Sequence, residues 1–335
     1  MPFVSIRNVW SQFFPPPPAF TEENVLSQKG RVFIVTGGNT GIGFELCKML
    51  YGTGATIYMA SRTQAKAEAA IEAITTSSPS PDNPGEFKFL HLDLSDLRSV
   101  KRAATTFAEL ESKLDVLWNN AGAGANLVQI GDRTEQGLEP MMGIHCVATL
   151  LFSELLLPQL RASTASGGSG SARVVWTSSY LAEGATPKNG IDFNHLETGT
   201  PDRTQNYGIS KAGTWMLGRE FGRRYGKDGI MSVVQNPGNC KAGTYGGTSA
   251  VAMLFVNPLL HEVKLGAYTE LYAGLSPELS QDANNAYVIP WGRVRAEETC
   301  PRKDIIYAMT PTEQGGQGYG TKLWEWCEQQ WKPFV

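Results

Sequence analysis

Tyr207 and Lys211 stand four residues apart in Asn206-Tyr207-Gly208-Ile209-Ser210-Lys211, at the head of an apolar run long enough for a helix. Positions i and i+4 share one helix face, so the phenol and the ammonium would point into the same space. A neighbouring cation favours the phenolate and lowers a phenol pKa from its usual value of about 10. Bringing that pKa to neutrality takes about three units, or ~4 kcal/mol of differential interaction. One lysine and a second positive group in a dry site can supply it. The pair is therefore a candidate acid–base device. Taken alone it equally fits a surface tyrosine beside a solvated lysine, so the case rests on the elements around it.

Those elements begin at Val32-Phe33-Ile34-Val35, a short apolar run of strand type. The glycine-rich octamer Thr36-Gly37-Gly38-Asn39-Thr40-Gly41-Ile42-Gly43 follows, then a helical pattern through Phe44, Leu46, Cys47 and Leu50. Strand, glycine turn and helix in that order open a dinucleotide-binding βαβ unit. Glycines admit the backbone close to a pyrophosphate, and the helix N-terminus offers free amides and positive dipole. An ordinary tight turn is the competing reading. Further strands are expected at 55–60, 87–92, 116–118, 173–177 and 231–235. Helices are expected at 64–74, 100–110, about 135–160 and 208–225, with loops at 77–85 and 163–171. Such alternation predicts the α/β class: a parallel sheet covered by helices on both faces.

The totals agree with a globular chain of this class. The chain has 335 residues, 41% hydrophobic and 18% charged, within the globular range. A net charge of -3 gives no electrostatic footprint for nucleic acid or an anionic membrane. No stretch reaches the ~18 apolar residues of a membrane span, residues 250–260 being too short and interrupted by Asn257 and Pro258. No signal peptide is expected, since the N-terminus lacks a long apolar core after a basic segment. Cys47, Cys146, Cys240, Cys300 and Cys327 are odd in number and lack metal-ligand spacing. They read as reduced thiols of a cytoplasmic protein with no metal site. Residues 1–28 read as an arm, in which Val9, Trp10, Phe13 and Phe14 precede a stiff Pro15–Pro18 stretch. These aromatics fit packing on the domain's own surface, or disorder, better than a membrane or partner contact.

Ligands of open parallel sheets bind at the C-terminal strand edges. The residues expected there are Gly37, Gly41 and Gly43, Arg62, Asp93, Asn119 and Asn120, Ser178 and Ser179, and Pro237 and Gly238, with Tyr207 and Lys211 on the bordering helix. Thr36-Gly-x-x-x-Gly41-x-Gly43, Asp93-Leu94, Asn119-Asn120-Ala121-Gly122, Ser178-Ser179, Tyr207-x-x-x-Lys211 and Asn236-Pro237-Gly238, in that order from residue 31 to about 245, resemble the short-chain dehydrogenase/reductase family. Residues 266–277 and 286–289 look like the last helix and seventh strand of its retinol-dehydrogenase-like and fungal members, and 319–333 like the terminal helix of the fungal reductases. The resemblance implies a single Rossmann-type three-layer domain over 29–335, with a seven-stranded, mostly parallel sheet and a substrate lid at about 240–285. It implies an NAD(P)-dependent oxidoreductase. Tyr207 would give or take the substrate's hydroxyl proton, and Lys211 would lower its pKa and hold the nicotinamide ribose. Ser179, with Ser178 as the alternative, would hydrogen-bond the substrate carbonyl. Cofactor binding would fall to Gly37, Asn39, Thr40, Gly41, Ile42 and Gly43, to Asp93 and Leu94, to Asn120, Ala121 and Gly122, and to Pro237, Gly238 and Cys240, together with Tyr207 and Lys211. A homodimer is compatible with the resemblance, although no interface is legible.

The cofactor preference follows from charge. An acid closing the second strand would bond the ribose 2′-hydroxyl of NAD and repel a 2′-phosphate. Ser61-Arg62 stands there instead, with Lys66 a helical turn on, and a hydroxyl beside a guanidinium suits a phosphate dianion. NADP(H) is expected. Two positions depart from the family pattern. His145 falls where many members carry a helix asparagine, either as a proton relay or as a satisfied polar group on a partly buried helix. Ala242 falls where a threonine is usual, with Thr244 two positions later. The segments left to build a substrate pocket, 180–206, 243–260 and the C-terminal tail, contribute Tyr180, Phe193, Tyr245, Met253, Phe255 and Trp291. Such lining suits a medium-sized, poorly charged carbonyl or alcohol compound, such as a secondary metabolite, and Gly243, Gly246 and Gly247 suit a closing lid. Two other readings remain open: a dinucleotide-binding sensor or scaffold without turnover, and non-redox chemistry on the same fold.

Overall fold

The computed structural model describes residues 6–77, 81–241, 253 and 257–335. Expectations for Ala242, Thr244, Tyr245 and Phe255, and for the glycines at 243, 246 and 247, lie outside these residues. Strand β1 (Val32–Thr36) is buried along its whole length, which is why it reads as an unbroken apolar run rather than an alternating one. Its residues nonetheless alternate in space. Val32 and Ile34 join the core on one side of the sheet, and Phe33 and Val35 join the core on the other.

The described strands form one sheet in the order β3-β2-β1-β4-β5-β6-β7-β8. The other seven are β2 (Thr56–Ser61), β3 (Glu86–His91), β4 (Val116–Asn119), β5 (Arg173–Thr177), β6 (Met231–Gln235), β7 (Tyr287–Ile289) and β8 (Arg293–Arg295). All pairings are parallel except β7 with β8. The chain starts in the middle at β1, runs outward to β3, then returns to β4 on the other side of β1. The strand order therefore reverses between β1 and β4, the place where such sheets open a ligand crevice.

The count is eight strands, where the sequence suggested seven. The additional strand, Arg293-Val294-Arg295, has no apolar pattern, and Val294 is half exposed. Besides its ladder with β7 it is held by a buried ion pair: Arg295 Nη1 donates to Glu183 Oε1 at 2.7 Å, and its guanidinium lies over the rings of Tyr287 (4.5 Å) and Trp215 (5.5 Å).

Among the described residues, the helices of seven residues or more are α1 (Ile6–Phe13), α2 (Gly41–Tyr51), α3 (Gln64–Thr75), α4 (Leu97–Leu110), α5 (Pro140–Leu155, with a π-helical turn at Gly143–Ala148), α6 (Leu157–Gly167), α7 (Arg203–Tyr225), α8 (Val263–Leu275), α9 (Lys303–Met309) and α10 (Tyr319–Trp331). One expected helix over 135–160 is thus two, bent by 53° at Leu156 ahead of Pro158. The second helix takes up part of the expected loop at 163–171. Helix α7 starts five residues earlier than expected, where the Asp202 side chain accepts from Thr204 N and Gln205 N. The last helix expected over 266–277 is Val263–Leu275, and its Ala267, Leu271 and Ala273 are fully buried. No single helix among the described residues is long and apolar enough to cross a membrane.

Candidate active site

Thr36, the last residue of β1, ties the two sides of the crevice together. Its Oγ1 donates to Trp118 O (3.1 Å) and accepts from Ala121 N (2.9 Å), while its carbonyl accepts from Asn120 Nδ2 (2.8 Å). The glycine loop then turns through Gly37 and Gly41, at φ 69° and 58°, a region strained for residues with a side chain. A Cβ on Gly43 would lie 2.5 Å from Gly37 O and 2.6 Å from Asn120 Nδ2. Only bare backbone fits there. The N-cap residue Thr40 makes no side-chain bond to its helix, so the amides at the start of α2 stay available to a ligand.

Across the crevice, the turn after β6 meets this loop. A Cβ on Gly266 would touch Cys240 Sγ (2.7 Å), Ile42 Cδ1 (3.1 Å) and Pro237 O (3.2 Å), so these four residues converge. Asn236 Oδ1 accepts from Gly238 N (3.0 Å), which holds the turn closed. At the end of β2, Ser61 Oγ is buried without a hydrogen-bond partner, and Arg62 is exposed beside it. An open recess nearby is lined by Asn39, Thr40, Phe44, Lys66, Ala69 and Ala70. Beyond β3, Asp93 Oδ1 accepts from Ser95 N (2.9 Å) and Ser95 Oγ (2.7 Å), and Leu94 is buried.

The candidate acid–base pair sits on α7, and both members are buried. Lys211 Nζ donates to Thr177 O (2.8 Å) at the end of β5 and lies 5.6 Å from the centre of the Tyr207 ring. Burial pushes the Lys211 ammonium down to about 8, against the opposing pull of Cys146 and Glu270. The two serines after β5 differ. Ser178 is buried and its Oγ donates to Lys211 O (2.9 Å). Ser179 is half-buried, and its Oγ accepts from Leu181 N (3.2 Å), keeping its proton for another acceptor.

His145 is a satisfied group. Ala123 N donates to its Nε2 (3.0 Å), so that nitrogen carries the lone pair. The proton of the neutral ring then sits on Nδ1, facing Ser210 Oγ at 2.8 Å, and Ser210 Oγ donates to Tyr207 O (2.8 Å). Burial, aided by the Lys211 charge, holds the imidazole well below its ordinary pKa. Neither nitrogen is left to pass a proton on. The ring instead braces α7 under Tyr207, with the two rings edge to face at 5.7 Å. A Cβ on Gly122 would come within 2.8 Å of His145 Nε2 and 3.5 Å of Lys211 Nζ, so the Asn-Asn-Ala-Gly segment also needs its glycine.

Thr177 and Glu270 were not singled out from sequence, and Thr36 only as the first residue of the glycine motif. Thr36 and Thr177 close apolar strands, a polar residue at a strand end being the available signal. Glu270 is a lone acid inside the apolar stretch of α8. It accepts from Thr177 Oγ1 (2.7 Å), and burial raises its carboxyl to about 7 despite that bond and the nearby Lys211 charge. Of the residues expected around a substrate, Tyr180 and Phe193 are half-buried and Trp291 is buried. Phe193 packs on Tyr319 at 5.0 Å.

The donor set fits a pyridine dinucleotide: a glycine cradle with no room for a Cβ, a helix N-terminus with its amides available, an orphaned buried hydroxyl at Ser61, and a tyrosine–lysine pair at the far end. Comparison with known proteins agrees. The family model described as short chain dehydrogenase matches residues 31–191. The short-chain dehydrogenase/reductase iacJ of Pestalotiopsis fici is 47% identical over 334 residues, covering 99% of both chains. The short-chain dehydrogenase/reductase bet4 of Neocamarosporium betae is 38% identical over 98% of this chain and 94% of its own. Among solved structures, an NADPH-bound carbonyl reductase from chicken fatty liver aligns with a TM-score of 0.59 at 23% identity, over 80% of this chain and 99% of that one. A 3-oxoacyl-[acyl-carrier protein] reductase from Brucella melitensis in complex with NAD gives 0.58 at 21%, over 78% and 96%. The chain belongs to the short-chain dehydrogenase/reductase family, whose members are NAD(P)-dependent oxidoreductases.

Proposed function

We propose that the protein interconverts a carbonyl and a secondary alcohol on a medium-sized apolar substrate, using NADP(H), with Tyr207 as the proton donor or acceptor. The observation that carries this reading is the burial of Tyr207 and Lys211 together, with the ammonium beside the phenol ring. In the direction of reduction, Ser179 donates a hydrogen bond to the substrate carbonyl oxygen, and Tyr207 delivers the one proton that turns the developing alkoxide into the alcohol. Ser178 is occupied by the Lys211 carbonyl, so Ser179 takes the substrate-facing role. Lys211 steadies the phenolate left behind, and Ser210 and His145 fix the helix turn that carries Tyr207. When bound, the cofactor supplies or accepts the hydride.

NADP(H) is preferred to NAD(H) because no carboxylate closes β2. The orphaned Ser61 hydroxyl, the Arg62 guanidinium and Lys66 at the adjoining recess would hold the 2′-phosphate. Gly37, Asn39, Thr40, Gly41, Ile42 and Gly43 would hold the diphosphate, with Asp93, Leu94, Asn120, Ala121 and Gly122 along the adenosine side. Pro237, Gly238 and Cys240 would hold the carboxamide by backbone groups. Tyr207→Phe tests the proton role: NADPH affinity by calorimetry should stay within about threefold, while turnover over a ketone panel falls at least ~100-fold. Full turnover in the variant would overturn the assignment. Tight NADPH binding with no turnover by the wild type on any carbonyl or alcohol would favour a sensor.

A further inference from the structure

Residues 10–14 come from the extreme N-terminal part of the chain, yet they lie across the C-terminal ends of β5, β6 and β7. Four anchors from four distant segments hold them. Asn236 Nδ2, just past β6, donates to Gln12 Oε1 at 2.9 Å, and Gln12 is only 4% exposed. Arg293 of β8 donates to Ser11 O at 2.7 Å. His261, ahead of α8, sets Nε2 against Phe13 O at 2.6 Å; since that carbonyl can only accept, Nε2 carries the proton. The Phe13 ring meets Tyr180 edge to face at 5.0 Å. Between this end and β1 the arm is strapped down again, by Phe20 on Tyr272 (5.9 Å) and Glu22 with Lys264 (2.7 Å). An arm that merely covered the surface would not need a buried glutamine on the Asn-Pro-Gly turn.

The position is what gives this docking a consequence. Tyr180 follows Ser179 directly, and Asn236 begins the turn assigned to the carboxamide. Phe13 and Tyr180 are both half-buried, so each ring keeps surface uncovered by the fold. We propose that α1 is a built-in wall of the substrate site. Phe13 and Tyr180 form the apolar surface on which the body of a bulky carbonyl compound rests, and Gln12 positions the Asn236-Pro237-Gly238 turn through its bond to Asn236. The inference rests on the reductase reading and adds a size preference to it: fused-ring or similarly broad ketones over small ones.

The test compares trans-1-decalone with cyclohexanone as substrates, in wild type, Phe13→Ala and a variant lacking residues 1–14. A wall of this kind predicts that Phe13→Ala lowers the decalone-to-cyclohexanone ratio of kcat/KM by about 10-fold, chiefly through the decalone KM, and that the deletion lowers it at least as far. An unchanged ratio, including a proportional fall with both ketones, would overturn it, since that is what a purely structural strap gives. A second readout needs no turnover. In the NADP+ complex, trans-1-decalone should slow amide hydrogen exchange across residues 10–14, and unaltered exchange at saturating decalone would sink the proposal. Wild type that oxidises NADPH with neither ketone, nor with any other carbonyl compound, would refute the reductase reading, leaving exchange protection to decide the wall.

Discussion

Lys211 costs the fold stability, and the cost can be measured. Its folded-state pKa is pushed from 10.5 down to about 8 by burial. A depression of that size corresponds to about 3 kcal/mol of penalty for the charged form. Lys211→Met removes the buried charge at nearly constant volume, but leaves Thr177 O without its donor, which takes back about 1 kcal/mol. Glu270 also loses its cation, trimming the gain further. The cofactor-free variant should therefore be more stable than wild type by about 2 kcal/mol at pH 7, or ~3 °C in Tm for a chain of this length, while losing turnover. The folded lysine binds fewer protons than the unfolded one between pH 8 and 10.5, so wild-type stability rises with pH across that window. Cys146 and His145, also facing the ammonium, do not titrate inside it: burial raises the thiol to about 12 and keeps the imidazole neutral. The gap between the two proteins should thus close by about pH 10. Thermal unfolding at pH 7, 8.5 and 10 provides the assay. A variant that is less stable at pH 7, or a gap that does not vary with pH, would refute the reasoning.

Two further outcomes follow from the same structure. The double change Ser61→Asp, Arg62→Ser should lower kcat/KM with NADPH by about 10-fold or more and raise it with NADH, the exposed guanidinium being worth less than a buried charge-assisted bond. Steady-state kinetics with both cofactors checks this, and an unaltered ratio would mean that the phosphate site lies elsewhere. Arg295→Met should destabilise the protein by ~3–5 kcal/mol, because it strands the fully buried Glu183 carboxylate. Adding Glu183→Leu should recover most of that loss, and a single variant within about 1 kcal/mol of wild type by denaturant unfolding would show that the pair does not hold β8.

The parts of this molecule legible in the sequence share one property: their signal is local. β1, β5 and β6 are buried on both faces, and β1 prints as a continuous apolar run while β5 and β6 carry shorter ones, Val174-Val175-Trp176 and Val233-Val234. The glycine loop prints because a positive φ and a missing Cβ leave few residue choices. Tyr207 and Lys211 print because one helical turn relates them. What could not be read depends on partners far away in the chain. β8 is held in part through Arg295 and Glu183, 112 positions apart, and α1 is placed through Gln12 and Asn236, 224 apart. β8 has no apolar periodicity of its own to announce it, whereas α1 does, with Ile6, Val9, Trp10 and Phe13 at i, i+3, i+4 and i+7; what its sequence does not print is where that helix docks.

The same distinction explains His145. By type it was a proton relay as readily as a brace, and its neighbours in sequence do not decide between them. Three contacts do. Ala123 N fixes the lone pair on Nε2, Ser210 takes the other nitrogen, and Lys211 adds a positive charge that disfavours a second proton. A relay group must be able to hold and release a proton at the working pH. Here the fold places a cation beside the imidazole and an amide donor on its free lone pair, both of which oppose protonation. The buried ammonium proposed to steady the Tyr207 phenolate is thus the same charge that makes His145 less basic.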